Sequence, residues 1–333
     1  MSVLVTGGAG YIGSHMVLRL ADAGERVIVL DNLVTGHEWA VDSRARFFRG
    51  DVGDVDLVRR LMREEGVNAI LHFAGSIVVP ESVEDPLKYY RNNTSNTRAL
   101  VEAAVAERVR HFIFSSTAAV YGMTGLEPVF EDSALHPMSP YGRSKLMSET
   151  MLADVAAAHD FHFGILRYFN VAGADPKGRS GQSTPLATHL IKAACQTALG
   201  LRKEMRIFGT DYPTPDGTGV RDYIHVTDLV EAHALLLAHL RKGNESATFN
   251  CGYGRGYSVR QVLDAVTRVS GNDFKVVESG RREGDPASVV AGAERIKSLL
   301  GWKPAHQDLT EIVRSAYAWE RHLLTRNDPP PIA

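Results

Sequence analysis

The sequence predicts an α/β fold, a Rossmann-type doubly wound parallel sheet with a second, smaller α/β domain, and three observations carry the expectation. A glycine turn, Gly7-Gly8-Ala9-Gly10-Tyr11-Ile12-Gly13, joins an apolar strand to a helix at the start of the chain. Short apolar runs then alternate with longer helical patterns as far as Gly173, as a parallel sheet covered by helices requires. Beyond Gly173 the pattern loosens into loops at 175–181 and 213–219. At 333 residues the chain is long for one core, and about two domains is the ordinary expectation.

The first unit runs from Leu4-Val5-Thr6 through the turn into a helix on which Ile12, Met16 and Leu20 recur at helical spacing, with Gly24 as its stop. Glycines at 7, 10 and 13 remove side chains from the turn, so a pyrophosphate can reach the backbone N–H groups at the positive end of the helix. Residues 26–30, Arg-Val-Ile-Val-Leu, then read as a buried parallel strand ending in Asp31. An aspartate there reads a ribose 2′-hydroxyl, and Asn32 and Leu33 offer no cation for a 2′-phosphate, which favours NAD over NADP. The cofactor set read from this unit is Gly7, Gly10, Tyr11, Ile12, Gly13, Asp31 and Asn32. Residues 1–173 form the expected NAD-binding domain and 174–333 the substrate domain, with segments around 220–252 returning to the first.

Further strands are expected at 46–49, 69–73, 111–115 and 163–167. Their carboxyl ends carry Gly50-Asp51-Val52, Phe73-Ala74-Gly75, Ser115-Ser116-Thr117 and Tyr168-Phe169-Asn170, the rim where such sheets bind ligands. Asp51 either faces an adenine amino group or caps a helix. Two long helices are expected at 86–108 and 141–159, with apolar stripes such as Leu100, Ala103, Ala104 and Leu146, Met147, Met151, Leu152. Exposed helices of this length can pack against their copies, so a homodimer is expected.

Composition narrows the function. With 37 basic and 39 acidic residues the net charge is −2, so no basic surface points to nucleic acid. The chain starts in a strand without a cationic leader, and no apolar run approaches the ~18 residues of a membrane span, so a cytoplasmic protein is expected. Cys195 and Cys251 are far apart, and none of the 13 histidines forms a His-Glu-x-x-His pair; free buried thiols and no metal are the expectation. Arg326-Asn327-Asp328-Pro329-Pro330-Pro331 reads as a loose tail.

Tyr141-Gly142-Arg143-Ser144-Lys145 follows Ser139-Pro140, a helix start. Tyr141 and Lys145 are four apart and share a helix face. A tyrosine ionises near 10; bringing it to 7 takes ~3 pKa units, roughly 4 kcal/mol in favour of phenolate. A lysine ammonium and an oxidised nicotinamide have the sign to supply it, and Thr117 can offer its hydroxyl to the same oxygen. Proton removal from an alcohol paired with hydride transfer to NAD is the implied chemistry.

These segments, with His72-Phe73-Ala74-Gly75, resemble the extended short-chain dehydrogenase/reductases. The later motifs Leu166-Arg167-Tyr168-Phe169-Asn170, Ile207-Phe208-Gly209-Thr210-Asp211-Tyr212, Gly219-Val220-Arg221-Asp222-Tyr223 and Arg281-Arg282-Glu283-Gly284-Asp285 resemble the branch that epimerises UDP-hexoses at C4. The resemblance implies that Tyr141 takes the 4-hydroxyl proton while C4 gives hydride to tightly held NAD, and that the 4-keto sugar turns over before hydride returns to its other face. It implies Thr117 beside the reacting oxygen, Lys145 orienting the cofactor, and Asn92 and Phe169 beside NAD with Asp51, Val52, Phe73, Ala74 and Gly75. On the UDP-sugar side it implies Asn170, His189, Leu190, Phe208, Arg221, Tyr223, Arg282, Asp285 and Val289.

Three positions depart from the family pattern. Ile77 stands where many members have a lysine near the cofactor, which implies weaker NAD retention. His189 takes the place of the second asparagine. Val289 stands where some members carry a tyrosine that closes the pocket against a C2 substituent, which opens UDP-GlcNAc and UDP-GalNAc as substrates unless Ser288 or the His189 segment forms the wall. Two other functions share the early motifs, a nucleotide-sugar 4,6-dehydratase and a catalytically silent NAD sensor. The first needs acid and base carboxylates after the strand-end threonine, where this chain has Ala118-Ala119-Val120-Tyr121; the second has no use for Thr117, Tyr141 and Lys145 together.

Overall fold

The computed structural model describes residues 2–184, 187–282 and 284–326. The 327–331 part of the expected tail lies outside the described residues, as does Glu283 of the Arg281–Asp285 motif. In chain order the strands are β1 (Ser2–Thr6), β2 (Arg26–Asp31), β3 (Arg46–Arg49), β4 (Val67–His72), β5 (His111–Thr117), β6 (His162–Tyr168), β7 (Asn170–Ala172), β8 (Met205–Phe208), β9 (Val220–His225), β10 (Ala247–Cys251), β11 (Gly256–Ser258), β12 (Val276–Ser279) and β13 (Ser288–Val289). Seven of them make one parallel sheet in the order β10-β6-β5-β4-β1-β2-β3. The chain leaves β1 toward β2 and β3, then returns to β4 and builds outward the other way. That reversal opens a crevice at the carboxyl ends of β1 and β4, where ligands of such sheets bind.

Every residue of β1 is buried, because helices cover both faces and neither side needs polar residues. Val3 and Val5 join one apolar cluster with Met16, Leu229 and Leu236, while Leu4 joins the other with Leu61, Leu100 and Phe114. The two-residue period of a strand thus feeds two cores at once. Helices Tyr11–Asp22 and Val226–Arg241 supply the first cluster, and Val55–Glu64, Asn96–Ala106 and Pro140–Ala158 the second.

The single helix expected over 86–108 is instead a composite. Pro86–Tyr89 is α-helical, Tyr90–Ser95 is π-helical, and Asn96–Ala106 resumes the α form. The wider turn aims two adjacent asparagines at one loop: Asn92 Nδ2 donates to Ser76 Oγ at 3.0 Å, and Asn93 Nδ2 donates to the Ser76 carbonyl at 3.0 Å. Inserted turns of this kind gather at functional sites, and hydrophobic periodicity carries no sign of them.

A smaller sheet has the order β11-β9-β13, with β7 also on β9, and β8 pairs with β12. Helices Leu190–Ala198, Val259–Ser270 and Leu309–Thr325 belong to this part of the chain. Within 220–252, β9 lies in the small sheet, whereas the following helix covers the large one and β10 forms its edge beside β6. Among the described residues no helix is long and apolar enough to cross a membrane, and no group of three or more His, Cys, Asp or Glu is placed to hold a metal. Cys195 and Cys251 are free and buried.

Candidate active site

The glycine turn is shaped by close backbone contacts. Gly7 has φ +72°, and a Cβ there would lie 2.6 Å from the Ala74 nitrogen; at Gly13 it would lie 2.1 Å from the Gly7 oxygen. Gly13→Ala is therefore expected to lower the melting temperature and to leave the purified protein without bound dinucleotide, measured by its thermal transition and by ultraviolet absorbance; an unchanged cofactor content would contradict this reading of the turn. At Gly10 an added Cβ would meet only the Gly7 oxygen, at 3.3 Å. This glycine starts helix Tyr11–Asp22 with no side-chain cap and no acid in the first turn, an N-terminus whose donors suit a diphosphate.

The strand-end carboxylates knit the rim together. Asp31 accepts from the Ala9 N–H at 3.0 Å and from the Leu33 N–H at 2.8 Å. It thereby ties the glycine turn to the loop after β2, and Leu33 adopts φ +62°. Asp51 accepts from the side chains of Asn32 and Asn96, both at 3.0 Å. The helix-cap role considered for Asp51 falls to Asp54, which accepts from the Leu57 N–H. Val52 is buried. The Tyr11 hydroxyl, expected at the cofactor, donates to the Gly173 carbonyl at 2.6 Å; Ile12 packs partly buried against the core. Phe73 packs against His233 at 4.9 Å between ring centres. At Gly75 a Cβ would lie 2.9 Å from Asn93 Oδ1 and 3.5 Å from Lys145 Nζ.

Helix Pro140–Ala158 is capped by Ser139, whose hydroxyl accepts from the Gly142 N–H, with Pro140 as its first residue. Tyr141 is 8% exposed and Lys145 4%. Lys145 Nζ donates to the Ser115 carbonyl at 3.1 Å and lies 4.8 Å from the centre of the Phe114 ring. Burial lowers its pKa to about 8, opposed by the Glu149 carboxylate. Burial raises the Tyr141 pKa, and a hydrogen bond with the Thr117 side chain pulls it part of the way back. Among the protein's own groups desolvation therefore wins over the lowering that the Tyr141–Lys145 spacing suggests. Thr117 Oγ1 also accepts from the Ala119 N–H at 3.1 Å, which orients its hydroxyl.

Residues expected at the UDP-sugar come together from distant segments. Arg221 on β9 pairs with Asp285 and donates to the Val220 carbonyl at 2.8 Å. The Arg282 guanidinium lies 3.7 Å from the centre of the Phe208 ring. Val289 stands in register with Arg221, and Asn170 with Tyr223. Phe169 and Tyr223 are buried, and burial raises the Tyr223 pKa. His189 and Leu190 stand elsewhere, at the start of helix Leu190–Ala198. His189 lines a narrow cleft with Tyr11, Gly173 and Gln182, and its buried Nδ1 has no hydrogen-bond partner among the described residues.

Sequence reasoning missed the supports beneath the site. Asn93 Nδ2 donates to Ser144 Oγ at 3.0 Å and its Oδ1 accepts from the Ser76 N–H, which joins helix Pro140–Ala158 to the loop after β4. Glu149 binds Ser116 and, through both oxygens, Arg167. Its place four residues after Lys145 was a readable signal; its partner on β6 was not.

A glycine turn at the strand-order reversal, with a buried tyrosine and lysine one helical turn apart beside a strand-end threonine, defines the short-chain dehydrogenase/reductase class of NAD-binding enzymes. Residues 3–252 match the NAD dependent epimerase/dehydratase family, and the chain belongs to that family. It is 56% identical over 321 residues to a UDP-glucose 4-epimerase of Azospirillum brasilense, covering 96% of this chain and 92% of that protein. Among solved structures it is similar to UDP-glucose 4-epimerase from Brucella ovis in complex with NAD, with TM-score 0.93, 43% identity and coverage of 95% and 97% of the two chains. It is also similar to the UDP-Glc/GlcNAc 4-epimerase of Campylobacter jejuni, with TM-score 0.85, 47% identity and coverage of 96% and 99%.

Proposed function

We propose that the protein interconverts UDP-glucose and UDP-galactose by oxidation and re-reduction at C4, with NAD retained through turnover. The observation that carries this reading is the burial of Tyr141, Lys145 and Thr117 at the carboxyl end of β5, beside the glycine turn, in a chain whose relatives are 4-epimerases of UDP-glucose. NAD, when bound, supplies the acceptor for the C4 hydride and the source of its return. Tyr141 takes the proton of the 4-hydroxyl and gives it back at the same oxygen. Thr117 hydrogen-bonds that oxygen, and Lys145 orients the cofactor and favours the phenolate electrostatically. Phe208, Arg221, Arg282 and Asp285 hold the nucleotide end, where guanidinium groups suit a diphosphate and an aromatic face suits uracil. Asn170, Tyr223 and Val289 border the sugar and the linkage to it, whereas the sugar contacts that the resemblance implies for His189 and Leu190 would need the start of helix Leu190–Ala198 to reach the substrate from its own cleft.

The test is incubation with UDP-galactose without added cofactor. UDP-glucose should appear with a trace of reduced-cofactor absorbance. A 4-keto-6-deoxy sugar would show a dehydratase instead, and no product from either hexose would show a silent NAD-binding module. The turn after Thr117 is the 3₁₀ segment Ala118–Val120, which carries no carboxylate for dehydration. Ile77 is 46% exposed on the rim and offers no cation there. If dialysed protein regains activity only in proportion to added NAD, cofactor retention is weak and the assignment of retained NAD falls.

Val289 lacks the ring and hydroxyl that a tyrosine would place opposite Arg221, and this leaves space for an acetamido group. The protein is expected to turn over UDP-GlcNAc and UDP-GalNAc as well; the similar Campylobacter jejuni structure is named a UDP-Glc/GlcNAc 4-epimerase. Val289→Tyr should suppress the N-acetylated pair while sparing UDP-galactose, read by separate rate measurements. Loss of both pairs together would move the wall to Ser288 or to the His189 segment. A cytoplasmic homodimer completes the proposal: Leu87, at 77%, and Met147, at 48%, expose apolar surface on the composite and catalytic helices.

A further inference from the structure

The loop after β2 is held from outside. Asn32, Val34 and Thr35 are exposed, and Leu33 sits in the left-handed region that favours glycine, so few contacts of its own hold its shape. Its first anchor is the glycine turn: the His37 N–H donates to the Ala9 carbonyl at 3.0 Å, and a Cβ on Gly36 would lie 2.7 Å from the Ala9 carbonyl carbon. Ala9 in turn donates to Asp31. Any shift of this loop is thus passed to the turn and to the strand-end carboxylate.

Its second anchor comes from the other end of the chain. Trp39 stacks on His37, with ring centres 5.0 Å apart, and lies 6.4 Å from Trp319 of helix Leu309–Thr325. The Arg326 guanidinium sits 3.8 Å from the centre of the Trp39 ring. Trp319 Nε1 donates to Ser183 Oγ at 3.1 Å, while His37 Nε2 donates to the Ser183 carbonyl at 3.1 Å. Gly181 admits no side chain, because a Cβ would lie 2.3 Å from the Trp319 ring. Aromatic contacts and a cation over an indole face are worth enough together to hold a short loop.

We propose that Trp39 is a positioning residue for the dinucleotide: held by its contacts with Trp319 and Arg326, it clamps the loop of residues 32–40 onto the glycine turn and so governs how slowly NAD leaves. The clamp acts at the adenosine end of the site, away from Tyr141, and this inference rests on the reading that the turn holds NAD. It assigns the C-terminal helix a role in cofactor retention.

The test compares NAD release from purified wild-type, Trp39→Ala and Trp39→Phe holoenzymes after dilution into a displacing dinucleotide, with UDP affinity measured at saturating NAD. Trp39→Ala should release NAD about tenfold faster, Trp39→Phe should stay within about twofold of wild type because its ring keeps the stack, and UDP affinity should be unchanged. Unaltered release from Trp39→Ala, or parallel weakening of NAD and UDP, would overturn the clamp. Should Trp39→Ala fail to fold, Arg326→Ala must speed release in the same direction, and unaltered release there overturns the proposal. A wild-type protein with no affinity for NAD would instead defeat the underlying cofactor reading.

Discussion

Tyr141→Phe is expected to keep the fold and the bound cofactor while lowering epimerisation of UDP-galactose by at least about 100-fold, the usual cost of removing a positioned proton acceptor. The ring itself is preserved, so its edge-on contact with Tyr89, with centres 6.4 Å apart, survives the change. What disappears is the hydroxyl that bonds Thr117. Circular dichroism and cofactor absorbance would establish that the variant is intact, and steady-state turnover would then isolate the proton transfer. Near-normal turnover would remove Tyr141 from its role and turn attention to Tyr168, a partly buried phenol at the end of β6 whose pKa burial raises, with a further upward push from Tyr141.

Lys145→Ala should be comparably impaired and should differ in its pH profile. The wild-type ammonium is anchored by the Ser115 carbonyl and the Phe114 face, so truncation removes both a fixed donor and a positive charge near the site. The sign follows from burial, which already raises the Tyr141 pKa. Without a neighbouring cation the phenolate becomes still less favourable, its base form is reached at higher pH, and the pH optimum moves upward. Lys145→Met, which keeps most of the side-chain volume, should show the same displacement. If either variant loses turnover with an unchanged profile, Lys145 positions the cofactor without tuning the phenol.

What the sequence by itself determined is local. The glycine turn, Asp31 at the end of β2, and Tyr141 with Lys145 each lie within one strand-turn-helix unit or one helical turn. Chain stereochemistry over a few residues dictates which of them share a face or a loop, and so the sheet, the cofactor class and the shared helix face of Tyr141 and Lys145 were legible. Ser139-Pro140 marked its helix start for the same reason. The tertiary structure alone decided the rest. The π-helical turn at Tyr90–Ser95 interrupts a helix without changing its composition, and it brings Asn93 to Ser144. Arg221 meets Asp285, Arg282 meets Phe208, and Trp39 meets Trp319 across long stretches of chain; periodicity marks a buried face but does not name the element packed against it. The same holds for the Tyr141 phenol. A spacing of four residues suggests a lysine's electrostatic help, whereas the depth at which the whole fold buries both groups sets the direction of their pKa shifts, because desolvation depends on every atom that replaces water around them.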